Sequence, residues 1–407
     1  MRNFVAVAVG ILGLTAWADE PRSRGKVEVT EAALTIHRDA ILVDGHNDLP
    51  WELRAKSEGA FLKVDIARPQ PKLHTDIERL RKGGVGAQFW SAYVPAESAK
   101  KGKAVTQTLE QIDTIHRMIA QYPETFAFAG SVDEIYAARS QGKIASMIGI
   151  EGGHSIDNSL GALRCFYRLG VRYMTLTHSD TLDWADSATD APKSHGLSPF
   201  GEQVVAEMNR LGMLVDISHV SVETMKHAIR VSKAPVIASH SSAFAIAAHP
   251  RNVPDDVLVL VRDSGGVVMI NFFSGFIVPE GARAVQDLFP AYKEMKEKYK
   301  DEKQFDEAWG QWKKEHPIPR GTVHNVVDHI EHVIKVAGID HVGLGSDFDG
   351  IGVLPEQLDD VSCYPVITQE LLNRGYNAEQ IKKVLGGNLL RVFRKAEEVS
   401  KQLNSAG

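Results

Sequence analysis

Eight short runs of predominantly apolar, β-prone residues recur along the chain, and each is followed by a stretch of helical periodicity. The runs fall at 41–44, 86–90, 145–150, 173–177, 214–217, 236–238, 267–271 and 342–345. A strand that is apolar at every position has both faces covered, as in parallel sheets flanked by helices. Alternating strand and helix gives an α/β fold with a parallel sheet, and eight units favour closure into a (β/α)8 TIM barrel. The open alternative is a doubly wound sheet, which is weakened because no glycine-rich phosphate loop follows the first run. At 407 residues the chain is long for an average domain, but a barrel with insertions accommodates that length. We therefore expect one barrel domain over 19–407.

The helical stretches carry start and stop signals. Val105, Leu109, Ile112, Ile115, Met118 and Ile119 share one predicted face. Ser131 with Glu134 predicts a capping box. Ser198-Pro199 opens a helix that closes at Leu211-Gly212, and Val326, Ile330, Val333 and Ala337 line another that Gly338 ends. The stretch 279–319 departs from the pattern, being long, charged and rich in aromatics. It reads as a helical insertion between strands seven and eight, either a solvated excursion or a lid or subunit contact at the barrel mouth.

Arg2, the apolar run 4–14 and Ala16-Trp17-Ala18 read as a secretory signal over 1–18, cleaved before Asp19. The alternative is an uncleaved anchor, but the run is short for a span of about 20 residues. The polar C-terminal residues predict no lipid anchor. A secreted or periplasmic protein is the expectation. The formal net charge of −6, with no basic block, gives nucleic-acid binding no support. The two cysteines, Cys165 and Cys363, are expected as separate thiols, and they are too few for a thiolate zinc site.

The chemistry-bearing residues cluster at the ends of the predicted strands. Asp44-Gly45-His46-Asn47-Asp48 follows the first, Glu151-Gly152-Gly153-His154 the third and His178-Ser179-Asp180 the fourth. Ser218-His219 follows the fifth, Ser239-His240 the sixth and Ser346-Asp347-Phe348-Asp349-Gly350 the eighth. In a closed parallel barrel these ends open on one face. Imidazole and carboxylate together suit Zn²⁺ or a similar divalent ion. His46 and Asp48, two apart on an extended stretch, can both point inward. Glu151 is best placed to bridge two ions, with His219 and His240 completing a second site. Two ions about 3.5–4 Å apart can share and activate a hydroxide and polarise a carbonyl. Each residue also has a plainer reading as a hydrogen-bonded loop residue or as turn chemistry. Asp44 reads as structural. His154, His195, His227 and His249 lack the placement, and His324, His329 and His332 read as surface residues of a helix outside the barrel.

These segments resemble the renal, or membrane, dipeptidase family. The match is carried by Asp44-Gly45-His46-Asn47-Asp48-Leu49-Pro50-Trp51, Ile150-Glu151-Gly152-Gly153-His154-Ser155, Leu176-Thr177-His178-Ser179, Asp216-Ile217-Ser218-His219, Ala238-Ser239-His240-Ser241 and Gly345-Ser346-Asp347-Phe348-Asp349-Gly350. The resemblance spans roughly 30–395. It implies a zinc dipeptidase of the amidohydrolase kind, with two Zn²⁺ per chain and a homodimer. By that resemblance His46 and Asp48 bind one zinc, His219 and His240 the other, and Glu151 bridges them. His178 would hold the carbonyl oxygen as it gains charge, Asp347 would carry the proton to the leaving amine, and Arg251 would hold the substrate carboxylate. The implied substrate is a small dipeptide, including those with a C-terminal D-residue. The alternative is a related zinc hydrolase acting on N-acyl amino acids, lactams or other small amides. A binding protein on the same fold would have lost ligands or Asp347, and this chain keeps them. It departs from relatives at Asn271-Phe272-Phe273, where a tyrosine is common in place of Phe273.

Overall fold

The computed structural model describes residues 24–57 and 64–405. The signal reading over 1–18 lies outside them. Among the described residues nine strands form: β1 Leu42–Asn47, β2 Val85–Tyr93, β3 Phe126–Phe128, β4 Ile144–Glu151, β5 Val171–Thr175, β6 Leu214–Asp216, β7 Ile237–Ala238, β8 Val267–Ile270 and β9 Val342–Leu344. All pair in parallel, in the order β2-β1-β9-β8-β7-β6-β5-β4-β3. A further pairing of β2 with β4, in register from Ala87↔Ala145 to Tyr93↔Glu151, closes eight of them into a barrel. That seam rules out the open sheet.

The ninth strand, β3, was not anticipated. It pairs with the start of β4, Phe126↔Ile144 to Phe128↔Ser146, on the edge that β5 takes over from Ile148 onward. Three residues between two helices give no periodicity to read.

Alternate strand positions build the interior of the ring. Val43, Phe89, Met147, Tyr173, Ile237 and Met269 pack together and meet Leu389, Val392 and Phe393 of the helix Asn388–Ser405. The remaining strand positions pack outward against the helices. Each such apolar side chain stabilises the fold by roughly 1.5–3 kcal/mol on burial. At Gly149 a Cβ would come within 2.1 Å of the Tyr173 ring, so glycine makes the room that ring occupies.

The helix signals hold with three corrections. Ser198 caps Pro199–Leu211 by accepting from the Gly201 N–H, and Gly212 ends it at φ 82°. Val326, Ile330, Val333 and Ala337 are buried on Val323–Ala337. Ser131 accepts from the Glu134 N–H, but the Glu134 carboxylate takes the Gly130 N–H instead of returning to Ser131, so the box is not reciprocal. Leu109 is 41% exposed because it lies well round the helix from the arc of Ile112, Ile115 and Met118. His329 is not a surface residue: it is fully buried, accepting the Ala243 N–H on Nδ1 with Nε2 against the Ile277 carbonyl. A neutral imidazole with both nitrogens bonded is tolerated there.

The insertion is the expected helical pair, Pro279–Lys298 and Glu302–Glu315, joined by the rings of Tyr292, Phe305 and Trp309. Cys165 is exposed, Cys363 half-buried, and both are free thiols. Among the described residues no helix is long and apolar enough to cross a membrane.

Candidate active site

The strand ends converge. Glu151, the last residue of β4, lies at the centre: its Oε1 is 3.0 Å from His219 Nε2, 3.4 Å from His240 Nε2 and 3.7 Å from His178 Nε2. Its other oxygen is 3.6 Å from His46 Nε2. Asp48 Oδ2 is 3.3 Å and Asp347 Oδ1 4.0 Å from the same His46 nitrogen. His46 sits within β1 rather than past its end, since the strand runs on to Asn47. Each predicted ligand and His178 thus reaches one cluster. His154 stands apart, with Nε2 against the Val94 carbonyl, and His227 pairs with Glu202.

Backbone geometry aims these groups. His219 and Asp347 both adopt φ 66°, a left-handed conformation that costs a non-glycine residue about 1–3 kcal/mol. The Asp347 N–H donates to the His46 carbonyl, tying β9 to β1 at the site. Asp44 is structural, as read: its carboxylate accepts from Gln88, from Ser346 N–H and Oγ, and from the Tyr364 hydroxyl.

Charge is concentrated here. Burial would raise Glu151, but His46 and His178, with hydrogen bonds from His219 and His240, hold it well below the usual carboxylate range. Burial opposes charge on His46, and Tyr173, Asp48 and Glu151 outweigh it. Burial drives His219 and His240 well below the usual imidazole range. Burial, reinforced by Asp48 and Glu151, pushes Asp347 well up despite His46.

The donor set fits divalent metal. His46 Nε2 and Asp48 Oδ1 are buried with no hydrogen-bond partner, and the Nε2 atoms of His219 and His240 face each other at 2.9 Å. Three overlapping groups have donor atoms within 4.8 Å of one another: His46, Glu151, His240; Glu151, His178, His219; and His46, Asp48, Asp347. Orphaned polar atoms cost free energy unless something else satisfies them.

Above the cluster opens a cavity of about 430 Å³, walled by Trp51, Tyr93, Phe273 and Phe276, with Arg251 and Asp347 in its lining. Arg251 is buried, donating to Ser241 Oγ and the His240 carbonyl at 3.3 Å each, beside the Phe276 ring. Burial lowers its pKa to about 10, so it stays charged at neutral pH. Phe273 confirms that no tyrosine hydroxyl enters at that position, although Tyr93 brings one from β2. Sequence reasoning missed Tyr173, whose hydroxyl lies 2.7 Å from His46 Nδ1, and Asn271, which donates to Asp347 Oδ2 at 2.8 Å. A tyrosine in a buried strand was the available signal, because a buried hydroxyl needs a partner.

A closed parallel barrel gathering imidazoles and carboxylates at the carboxyl ends of its strands defines a metal-dependent hydrolase. The chain belongs to the membrane dipeptidase family, peptidase family M19, whose model matches residues 30–407. It is 42% identical over 375 residues to Dipeptidase 3 of Mus musculus, covering 91% of this chain and 67% of that protein. It is 40% identical over 385 residues to Dipeptidase verJ of Clonostachys rogersoniana, covering 92% and 89%. Among solved structures, the probable dipeptidase PvdM of Pseudomonas aeruginosa superposes with a TM-score of 0.78 at 24% identity, covering 90% of this chain and 98% of that one. A metallopeptidase of Rhodobacter sphaeroides, liganded with a phosphinate mimic of the dipeptide L-Ala-D-Ala, superposes at 0.71 and 24% identity, covering 88% and 100%. The protein is a hydrolase of the metallodipeptidase kind.

Proposed function

We propose that the chain hydrolyses the peptide bond of dipeptides, including those ending in a D-residue, with two zinc ions. The observation that carries this reading is the convergence of His46, His219 and His240 on Glu151, with Asp48 beside His46, beneath a cavity that also holds a buried arginine. His46 and Asp48 would hold one ion, His219 and His240 the other, with Glu151 between them. The mixed nitrogen and oxygen donors suit zinc. When bound, such a pair activates water at neutral pH and polarises a carbonyl.

The remaining steps belong to side chains. Arg251 takes the substrate carboxylate, its planar fork matching two oxygens. His178 faces the carbonyl oxygen and stabilises it as charge develops. Asp347 carries the proton from the attacking water to the leaving nitrogen, because an amine leaves poorly unless protonated. Glu52 and Asp349 in the cavity lining favour a free ammonium, and hence a dipeptide over an N-acyl amino acid. The dipeptide mimic held by the Rhodobacter sphaeroides relative supports tolerance of a C-terminal D-residue. Export to the periplasm or medium rests on the N-terminal apolar run, and a homodimer on the family resemblance.

The test is metal content per chain, with hydrolysis of L-Ala-L-Ala and L-Ala-D-Ala assayed before chelation, after it and after return of zinc. Near two ions per chain, with activity lost and restored alongside them, is expected. Dipeptide turnover that survives complete chelation overturns the reading.

A further inference from the structure

Asp216 ends β6, and among the described residues its carboxylate bonds to none of the proposed metal ligands, yet it collects four hydrogen bonds. Its Oδ1 accepts the backbone N–H groups of Ser218 and Ser239 at 3.0 and 2.9 Å. Its Oδ2 accepts the hydroxyls of Thr175 and Ser239, the latter at 2.6 Å. The Ser239 Oγ lies in turn 2.7 Å from His240 Nδ1. All of these groups are buried.

The direction of these bonds decides the state of the imidazole. A serine hydroxyl has one proton and two lone pairs. Spent on Asp216, that proton leaves Ser239 only the accepting role toward His240. The Nδ1 of His240 must then carry the ring proton, and its Nε2 presents a lone pair. That nitrogen is the one facing Glu151 and His219. Among the described residues no carboxylate is hydrogen-bonded to His240 Nδ1, so the influence of Asp216 reaches the ring through Ser239.

We propose that Asp216 is a positioning residue that, through Ser239, fixes the tautomer of His240 and so keeps the second metal position competent. This rests on the binuclear reading above. His46 is set differently, because its Nδ1 meets the Tyr173 hydroxyl, which can either donate or accept. The two halves of the centre are therefore unequally held: the His240 half is locked by a carboxylate, and the His46 half is not.

The substitution Asp216→Asn tests the direction of the chain. An asparagine oxygen still accepts the two backbone N–H groups, so the loop geometry is kept. Its NH₂ donates to Ser239, whose hydroxyl then turns to donate to Nδ1 and drives the ring proton onto Nε2. Ser239→Ala removes the link while leaving the backbone bonds of Asp216 untouched, which guards against a folding defect in the first variant. The readouts are neutron diffraction of the metal-free protein, for the proton on His240, and calorimetric titration of the same protein with Zn²⁺. In the unsubstituted protein the proton is expected on Nδ1. In both variants one zinc equivalent should bind as before and the other about 10- to 100-fold more weakly. A proton on Nε2 in the unsubstituted protein overturns the proposal, as do variants that bind both equivalents unchanged. An unsubstituted protein that binds only one equivalent refutes the binuclear reading instead, and the proton position still decides the role of Asp216.

Discussion

The carboxamide of Asn271 donates to Asp347 Oδ2 at 2.8 Å, leaving Oδ1 as the oxygen turned toward His46. Asp347 is thus clamped on one oxygen and available on the other, as a group that shuttles a proton should be. Asp347→Asn should retain bound metal but lose about 10²–10⁴ in kcat, the usual worth of a positioned acid–base group. Metal analysis alongside steady-state kinetics checks this. Parallel loss of metal and turnover would make Asp347 a ligand.

Arg251 should act on binding of the substrate's terminal carboxylate. Arg251→Ala should raise KM for a dipeptide by about 10- to 100-fold, as expected for a charged hydrogen-bonded contact. The same dipeptide with its C-terminus amidated should be a poor substrate of the native protein and little worse for the variant. A variant that still discriminates between acid and amide as before would remove Arg251 from that role.

Tyr173 supports His46 from inside the barrel, 127 positions away in the chain. Tyr173→Phe keeps the ring that Gly149 accommodates and deletes only the hydroxyl. The buried His46 Nδ1 then loses its partner, at a cost of about 1–3 kcal/mol. Urea unfolding of the metal-free protein should show that loss, and an unchanged midpoint would show that the hydroxyl contributes nothing net.

Burial holds His329 at a pKa of about 4, down from 6.5. A folded state that disfavours the proton gains stability above pH 6.5 and loses it as pH falls toward 4. Across that window the single residue contributes a slope of about 1.4 kcal/mol per pH unit. His329→Gln should lower stability at pH 7 yet flatten the acid slope by one proton, read from denaturant unfolding at a series of pH values. Equal slopes in both proteins would mean that His329 titrates normally.

The clustering of the site's imidazoles and carboxylates was legible in the sequence because each of them lies at or beside a strand end, and strand ends of a parallel barrel share one face. Glu151 and His240 could be placed by that rule without knowing which strands are neighbours. Their supports could not. Tyr173 reaches His46, and Asp216 reaches Ser239, across strands whose register only the folded ring determines. His329 misled for a related reason: a histidine on an amphipathic helix reads as polar and exposed until the partners for both of its nitrogens are known. The strand β3 was too short to leave a pattern.

The pairing of β1 with β9, Asp44↔Leu344, has a consequence for when the protein can cut anything. The clustered donors span positions 46 to 347, so the first and last strands must lie side by side before His46 and Asp48 can face Asp347. A chain with most strands in place but the ring still open would scatter its imidazoles and carboxylates toward different quarters of solvent. The active site is in that sense a product of the closed ring and of no single element. The return of turnover during refolding would therefore time the meeting of the first and last strands rather than the formation of any helix.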